Sequence, residues 1–255
     1  MGHWVTSEYQ IIAHKGNSSG FPENTNAAIE SAVENQCNMV EIDVSVTSDG
    51  YSVALHGPSL ESSTSGSGRV NQTSLQELSK FAARGQDGTI TNEKIPLVED
   101  LLRSLGTKIK WNLDLKEGGI EDDLTQVIYD LGLENHIVLS GLKSSNARRT
   151  LAGNPGLHLL VNLSKIDQLF VSIKLIGPLY VKYRFRSLSR MSSVIAINMH
   201  YRYVSKAIIR EIHKLGLEVW VYTVDDADRF SRLFTDGVDS ITTNLPLEMR
   251  RSFNF

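Results

Sequence analysis

The strongest constraint on this sequence is the alternation of short apolar runs with longer amphipathic segments along almost its whole length. Eight runs rich in Val, Ile and Leu predict strands, and the helical spacing of apolar residues predicts helices between them. The strands are expected at residues 10–13, 39–44, 108–115, 136–139, 158–161, 194–199, 218–224 and 238–242. The helices are expected at residues 25–35, 97–104, 121–131, 146–152, 204–215 and 227–235. Because this order lacks hairpin signals, it indicates parallel pairing through strand–helix–strand units.

The fold class follows from this order. We predict an α/β fold, a single (β/α)8 TIM barrel that forms one domain over residues 1–255. A closed barrel buries every strand without leaving an exposed sheet edge, and the chain has the length of one such barrel. A doubly wound open sheet is the competing arrangement. No G-x-G-x-x-G follows the first strand, which weakens the nucleotide-binding version of that sheet.

Two segments depart from the alternation. Residues 59–87, which follow an extended piece at 52–55, are polar and rich in Ser and Gly. They are too long for an ordinary strand–helix loop, so we predict an insertion near the active face. Residues 165–191 contain apolar runs without a clean period, and we assign them only a helix and some connecting structure.

Charge and composition narrow the classes of partner. The net charge is −3 and no basic run is longer than a pair, which argues against nucleic acid as a partner. No stretch approaches the roughly 20 apolar residues that a transmembrane helix needs. The first ten residues lack the basic and apolar regions of a secretory signal, and Cys37 is the only cysteine. We therefore expect a cytoplasmic protein without a transmembrane segment that binds a small molecule.

Acidic residues on two predicted strands form a candidate metal site. Glu41 and Asp43 are two residues apart, so their side chains share one face of the strand. Asp114 completes a group of three carboxylates if its strand is a neighbour. A hard divalent cation, Mg²⁺ or Ca²⁺, would offset their mutual repulsion. An acidic strand rim open to water is the alternative. Lys116 lies on the same face as Asp114 and is expected to attract an anionic substrate.

Two histidines lie at the ends of predicted extended segments. His14 follows Ile11-Ile12-Ala13, and His56 follows Val53-Ala54-Leu55. A single histidine at such a place is more often a structural hydrogen-bonding residue. Two of them, each followed by small residues or glycine, suggest a proton-transfer pair, because imidazole exchanges protons near neutral pH.

The order of several motifs resembles the glycerophosphodiester phosphodiesterase family. I-A-H-K-G is followed by P-E-N-T, V-E-I-D-V, a D-G pair and a histidine. Further similar stretches are S-G-S-G-R-V, S-L-Q-E-L, K-I-P-L-V-E-D-L-L, W-N-L-D-L-K, V-W-V-Y-T-V-D and G-V-D-S-I-T-T-N-L-P. The resemblance extends from residue 11 to residue 246, and it rests on the ordered set rather than on any one tripeptide.

The resemblance implies roles for individual residues. His14 and His56 would be the acid/base pair, and Glu41, Asp43 and Asp114 would bind one divalent cation. The residues implied in binding the substrate or its phosphate are Lys15, Lys116, Glu23, Asn24 and Trp220. Asn24 is also suited to cap the helix that follows it, and core packing is the alternative for Trp220.

Four departures from the family pattern affect these roles. His14 is followed by Lys15 instead of Arg, which loses bidentate phosphate binding. Gly57 replaces a carboxylate after His56, Asp114 stands for the usual glutamate, and the late T-D pair ends in Asn244. The two histidines and the metal-binding carboxylates are retained, so we expect an active catalytic core with an altered substrate.

The expected function is metal-dependent cleavage of a small phosphodiester, of the glycerophosphodiester or sugar phosphodiester kind, by histidine acid/base catalysis. One alternative is a phosphodiester-forming transferase of the same fold, similar to agrocinopine-type opine enzymes. A second alternative is a barrel that binds a phosphate ligand without turning it over.

Overall fold

Eight parallel strands close into a barrel, and a ninth strand is attached to its edge. The computed structural model describes residues 9–116, 122–142 and 156–253. Each barrel strand pairs in parallel with two neighbours, and β1 closes the ring by pairing with both β2 and β9. β3 pairs antiparallel with the end of β2. In chain order the strands are β1 (Gln10–His14), β2 (Met39–Val46), β3 (Ser52–Ala54), β4 (Lys110–Leu115), β5 (Ile137–Ser140), β6 (His158–Asn162), β7 (Val194–His200), β8 (Glu218–Tyr222) and β9 (Ser240–Thr243).

Helices connect the strands on the outside, as the strand–helix alternation predicts. Buried side chains such as Leu101 and Ile212 pack these helices against the outer faces of the strands in the main hydrophobic core. The helices are α1 (Asn26–Glu34), α2 (Leu75–Leu78), α3 (Val98–Leu105), α4 (Asp122–Asp130), α5 (Lys165–Ser172), α6 (Gly177–Arg184), α7 (Lys206–His213), α8 (Ala227–Thr235) and α9 (Pro246–Phe253). The predicted (β/α)8 TIM barrel is therefore confirmed.

Several elements differ from the sequence expectations. The segment at 165–191 contains two helices, α5 and α6, where we expected one. Helix α9 was not predicted, and the predicted helix at 146–152 lies outside the described residues. Most strand ends move by one or two residues, which is the usual uncertainty where hydrogen bonding stops.

The interior of the barrel is layered because alternate side chains of each strand point inward. The middle layer is apolar and consists of Ile12, Met39, Val138, Leu160, Ala196 and Trp220. Two residues further along most of these strands, toward their carboxyl ends, the inward side chains become polar. This change places the polar groups together at one end of the barrel.

Residues 59–87 form a small substructure beside that end. A separate apolar cluster packs Val53 of β3 against Leu60, Val70 and Leu78 of this insertion. Ser63 Oγ donates to Glu23 Oε1 at 3.1 Å, which ties the insertion to the loop after β1. Within the described ranges, no helix is both long enough and apolar enough to cross a bilayer.

Candidate active site

A polar cavity of about 240 Å³ opens at the carboxyl ends of the barrel strands. Every barrel strand contributes at least one inward polar side chain to its lining: His14, Glu41, Asn112, Asp114, Ser140, Asn162, Asn198, Tyr222 and Thr242. Catalytic sites of β/α barrels lie at this end. The cavity therefore marks the candidate active site.

Three carboxylates meet at one side of the cavity. The register of β2 against β4 places Asp43 opposite Asp114 and Glu41 opposite Asn112, so the two acidic strands are neighbours. Each of Glu41, Asp43 and Asp114 offers an oxygen within 4.8 Å of the others. A second group with the same spacing shares Asp43 and adds Glu23 and His56. The donor chemistry of the first group, three carboxylates, fits a hard divalent cation.

The electrostatics of these acids support that fit. Burial raises the pKa of Glu41 well above its ordinary value, and the neighbouring charges of Asp43 and Asp114 raise it further. For Asp43, burial works in the same direction, but Lys116 and Lys15 overcome it and lower the pKa to about 2. A buried acid that resists ionisation beside two others is the situation that a bound cation relieves.

Two lysines neutralise part of this charge. The Lys116 ammonium contacts Asp43 Oδ1 at 2.5 Å and also Asp114 Oδ2. Lys15 Nζ donates to Glu23 Oε2 at 2.8 Å and lies 3.4 Å from Asp43 Oδ2. Although burial alone lowers the pKa of each lysine, these carboxylates more than offset it and raise the pKa of both. Both ammonium groups therefore stay charged and lie beside the candidate metal ligands.

His14 is oriented by a chain of hydrogen bonds from two other loops. Its Nδ1 lies 2.6 Å from Asn244 Oδ1, and Asn244 Nδ2 donates to Asp225 Oδ2 at 2.7 Å. Asp225 also accepts from Thr243 Oγ1, so its position is held. Because Asp225 accepts from the Asn244 amide NH2, the amide oxygen faces His14 and Nδ1 must donate. Nε2 then carries the lone pair, 3.9 Å from Glu41 Oε2.

His56 lies on the Asp43 side of the carboxylate group. Its Nδ1 is 2.9 Å from Lys15 Nζ and 3.8 Å from Asp43 Oδ2, and about half of its side chain is exposed. At the next residue, Gly57, a Cβ would come within 2.8 Å of Ser45 Oγ, so a side chain there requires Ser45 to move. The packing beside His56 thus fits the glycine that stands where the family pattern has a carboxylate.

The loop after β1 is held by backbone conformations that most residues avoid. Lys15 and Asn24 have φ values of 57° and 62°, and the Lys15 amide donates to Glu41 Oε2 at 3.0 Å. Asn24 is fully buried. It donates through Nδ2 to Asp43 Oδ2 and accepts from the Asp43 amide, both at 2.9 Å. The helix-cap alternative for Asn24 is not what the structure shows, because Thr25 Oγ1 caps α1.

Trp220 does not reach the cavity. It is 1% exposed, lies in the apolar middle layer and donates from Nε1 to Glu218 Oε2 at 2.7 Å. Two residues later on the same strand, Tyr222 lines the cavity. The expected substrate-lining position of Trp220 is therefore corrected: it is one layer too deep, and its alternative, core packing, describes it.

Sequence reasoning missed much of the cavity wall. Ser140, Asn162, Asn198, Tyr222 and Thr242 all occupy inward positions near strand ends, and each was hidden among apolar neighbours. The signal for them was a polar residue close to the last position of a predicted strand. Asp225 and Asn244 also follow predicted strands, but nothing in the sequence pairs them with each other or with His14, because they follow different strands and meet only in the fold.

Fold and site together define a β/α-barrel protein with an acidic, lysine-flanked, histidine-bearing centre at its catalytic end. Comparison with known proteins identifies the family. The model of the glycerophosphoryl diester phosphodiesterase family matches residues 14–248, and the chain belongs to this family of phosphoric diester hydrolases. The prediction of an enzyme of this class is thereby confirmed.

Individual relatives agree with this assignment. The glycerophosphodiester phosphodiesterase of Caldanaerobacter subterraneus subsp. tengcongensis is 28% identical over 243 residues, which is 92% of this chain and 94% of the relative. A solved glycerophosphodiester phosphodiesterase from Agrobacterium tumefaciens has a TM-score of 0.75 at 21% identity, covering 96% of this chain and all of the other. An Oleispira antarctica phosphodiesterase, solved with its product sn-glycerol-3-phosphate, also has a TM-score of 0.75, at 23% identity over 96% of this chain and 97% of that one.

Proposed function

We propose that this chain hydrolyses small phosphodiesters of the glycerophosphodiester kind, with a divalent cation held by Glu41, Asp43 and Asp114. The observation that carries the proposal is the meeting of these three carboxylates, within 4.8 Å of one another, beside two imidazoles and two ammonium groups. The Oleispira relative was solved with sn-glycerol-3-phosphate, a product of the same chemical class. Bound at this site, Mg²⁺ or Ca²⁺ would supply positive charge that offsets the phosphodiester and polarises it.

The two lysines bind the phosphate group in this proposal. Lys15 and Lys116 are positively charged, and their ammonium groups lie against Asp43. Nonbridging phosphate oxygens that approach the carboxylate group therefore meet two cations that are already in place. Such fixed positive charge stabilises the extra negative charge of the transition state.

His14 is the general base. Burial lowers its pKa, so the imidazole is neutral near pH 7. Its Nδ1–H donates to Asn244, which leaves the Nε2 lone pair free to take a proton. That proton comes from the attacking oxygen, either water or a neighbouring hydroxyl of the substrate. Asn244 and Asp225 act as positioning residues, because they hold this tautomer without reaching the substrate.

His56 is the general acid. It is the more exposed imidazole and lies on the opposite, Asp43 side of the carboxylate group. From there its imidazolium form gives a proton to the oxygen of the leaving alcohol as the bond to phosphorus breaks, and it becomes neutral imidazole. His14 takes one proton and His56 gives one, so the number of protons on the enzyme is unchanged. With water as the final attacking group, the products are a phosphomonoester and an alcohol.

The cavity wall is suited to the hydroxyl groups of such substrates. Asn112 Oδ1 and Asn198 Oδ1 are buried and have no hydrogen-bond partner among the described residues. Both residues line the cavity, together with Ser140, Asn162 and Tyr222. Amide and hydroxyl groups can pair with the hydroxyls of a glycerol or sugar moiety, whereas an apolar substrate would leave them unpaired.

Phosphorus NMR of reaction mixtures tests the proposal directly. The protein is incubated with glycerophosphodiesters and Mg²⁺ or Ca²⁺, with and without sugar acceptors. Hydrolysis gives a phosphomonoester signal, and it should fall by about 10²–10⁴-fold in His14→Ala and in His56→Ala, the usual range for a lost general acid or base. His213→Ala, which removes a histidine paired with Asp239 at the far end of α7, is the matched control.

Other outcomes separate the alternatives. A new diester signal that requires the sugar acceptor would favour a phosphodiester-forming transferase. Binding of a glycerophosphodiester without any turnover would favour a phosphate-ligand binding barrel. Full activity in both histidine variants would overturn the proposed roles of His14 and His56.

A further inference from the structure

Helix α5 buries two polar side chains together with Val171 and exposes most of its apolar ones, unlike a helix that only packs on a barrel with an apolar inner stripe. Its inward side chains include Asp167 and Gln168, both buried. Asp167 accepts from Tyr180 Oη at 2.6 Å and from Arg184 Nε at 3.2 Å. On the outer side, Ile166 is 67% exposed and Leu169 is 62% exposed. The hydrogen bonds hold this orientation, so the exposure is built into the packing.

The exposed side chains form one apolar face with those of helix α6. Phe170 of α5 stacks on Tyr180 of α6 at a centroid distance of 5.0 Å, which joins the two helices. Among the described residues, eight of the twelve exposed large hydrophobic side chains lie in this one segment. We name this set the α5–α6 face: Ile166, Leu169, Phe170, Ile173, Leu175, Ile176, Leu179 and Tyr183. Clustering of this kind marks an interaction surface, whereas scattered apolar residues do not.

Positive charge surrounds the α5–α6 face. Residues 165–190 carry six cations against the single carboxylate of Asp167, a net charge of +5 on a chain whose total is −3. All six cations are exposed: Lys165, Lys174, Lys182, Arg184, Arg186 and Arg190. In the described part of the chain, only Arg184 of the six forms an ion pair. The rest of the protein is acidic, so this charge is local.

The α5–α6 face adjoins the mouth of the candidate active site. Asn162, the last residue of β6, lines the cavity, and α5 begins three residues later. Gln168 of α5 donates from Nε2 to the carbonyl oxygen of Leu163, the residue after Asn162, at 2.9 Å. A partner surface that binds to the α5–α6 face therefore lies next to the opening of the cavity.

We propose that the α5–α6 face docks the protein on anionic phospholipid bilayers, with its apolar side chains in the interface and its cations against the headgroups. An apolar surface bordered by Lys and Arg is what such binding requires, and the local charge of +5 selects an anionic surface over a neutral one. The acidic remainder of the chain stays away from that surface. Docking in this way brings the cavity mouth to phosphodiesters at the membrane, a consequence that rests on the proposed function.

Co-sedimentation of the full chain with lipid vesicles tests the docking. Vesicles contain phosphatidylglycerol and phosphatidylcholine, or phosphatidylcholine alone, and we expect binding to the anionic vesicles that weakens with salt. The triple variant Leu169→Ser/Leu175→Ser/Leu179→Ser should lower the partition constant by on the order of 100-fold, since three apolar side chains no longer enter the interface. Lys174→Gln/Lys182→Gln should lower it by roughly 25-fold, about fivefold for each cation.

Matched controls change the same residue types elsewhere. Tyr51→Ser/Ile90→Ser alters exposed apolar residues outside the α5–α6 face, and Lys80→Gln/Lys108→Gln removes two exposed cations outside it. Both controls should bind as the unaltered chain does, and circular dichroism checks that every variant is folded.

Three results would overturn the docking proposal. The first is no partition onto anionic vesicles, and the second is partition that the triple variant retains. The third is a dimer, seen by light scattering, that becomes a monomer in the triple variant, together with no binding to vesicles. A second copy of the chain would then cover the α5–α6 face. Binding is measured without turnover, so these results are independent of whether the proposed hydrolysis occurs.

Discussion

At the scale of single residues, Asn24 joins the loop after β1 to the candidate metal ligands. Its side chain makes two hydrogen bonds to Asp43, and its φ of 62° is a conformation that glycine and asparagine adopt most easily. Nothing about a single asparagine in P-E-N-T reveals both constraints. They follow from the burial of Asp43, whose amide and carboxylate have little access to water.

We expect Asn24→Ala to destabilise the protein by about 2–4 kcal/mol, because two buried hydrogen bonds to a charged residue are lost and alanine is strained at this φ. Asn24→Gly loses the same bonds without the strain, so it should be less destabilised by about 1 kcal/mol. Urea unfolding of both variants measures the two differences. Unchanged stability of Asn24→Ala would contradict this account.

The residues that bind or transfer in the proposed mechanism were largely readable from the sequence, for a physical reason. Glu41 and Asp43 share a face because strands have a period of two, and Asp114 meets them through the register of β2 with β4. Asp225 and Asn244 were not readable as partners of His14. They lie in loops after β8 and β9, and the contact exists only because the barrel closes between β9 and β1.

At the scale of elements, β8 carries three inward side chains in three different layers. Glu218 is near the amino end, Trp220 is in the apolar middle layer, and Tyr222 is at the cavity. Sequence alone identifies the shared face but not the depth, because depth depends on the stagger of the strands around the barrel. That is why Trp220 was placed one layer too high.

Substitutions on β8 separate these depths. Trp220→Ala should cost about 3–5 kcal/mol of stability, the usual range for removing a large buried aromatic side chain. Tyr222→Ala should leave stability within about 1 kcal/mol and should instead change KM or kcat, because the side chain lines the cavity and is only partly buried. Thermal unfolding and steady-state kinetics distinguish the two. A larger kinetic effect for Trp220 than for Tyr222, in protein of normal stability, would argue against the layer assignment.

Glu218 makes stability depend on pH. Burial raises its pKa from 4.5 to about 7, despite the hydrogen bond from Trp220. A group whose pKa is higher in the folded state stabilises the fold below its unfolded pKa, and this stabilisation is lost as pH rises through the folded pKa. As pH rises from 4.5 to 8, the unaltered chain should therefore lose stability that Glu218→Gln keeps. The free energy of unfolding of the variant should rise relative to that of the unaltered chain by roughly 3 kcal/mol over this range. Chemical unfolding at several pH values measures the gain, and a constant difference would contradict the assignment.

The segment at 165–191 shows why one element pair escaped prediction. Helical periodicity is recognised when apolar residues face the core, but α5 buries Asp167 and Gln168, and α6 exposes Leu179. The link between the two helices exposes Leu175. An apolar residue on both sides of a helix erases the usual stripe. The exposed apolar residues of the α5–α6 face are therefore the reason why the sequence of this segment lacks a clean helical period.

At the scale of the whole molecule, the barrel brings charges together that its chain order keeps far apart. The three candidate metal ligands lie on two neighbouring strands. Burial and the charges of Asp43 and Asp114 disfavour the ionised form of Glu41, which raises its pKa. Above its unfolded pKa, Glu41 therefore lowers stability when no cation is bound. The pairing of β2 with β4 holds these acids together.

Thermal unfolding with and without Mg²⁺ or Ca²⁺ tests this balance. A cation that binds only the folded protein stabilises it by about 2.7 kcal/mol at 100 times its Kd, which corresponds to a rise in Tm of roughly 5–10 °C for a chain of this size. Glu41→Gln should behave in two opposite ways. It should raise Tm at pH 7 without the cation, because it removes an acid whose raised pKa lowers the stability of the fold, and it should reduce the rise that the cation produces.

Glu30→Gln, a change on the exposed side of α1, is the control and should show the full rise in Tm with the cation. The two-way behaviour of Glu41→Gln distinguishes a metal site from a merely structural acid. A structural acid that accepts the Lys15 amide would lose stability on substitution, and its loss would be the same with and without the cation. If Glu41→Gln lowers Tm by the same amount with and without Mg²⁺ or Ca²⁺, Glu41 is not a metal ligand. That result would not affect the roles proposed for the two histidines or the assignment of the barrel.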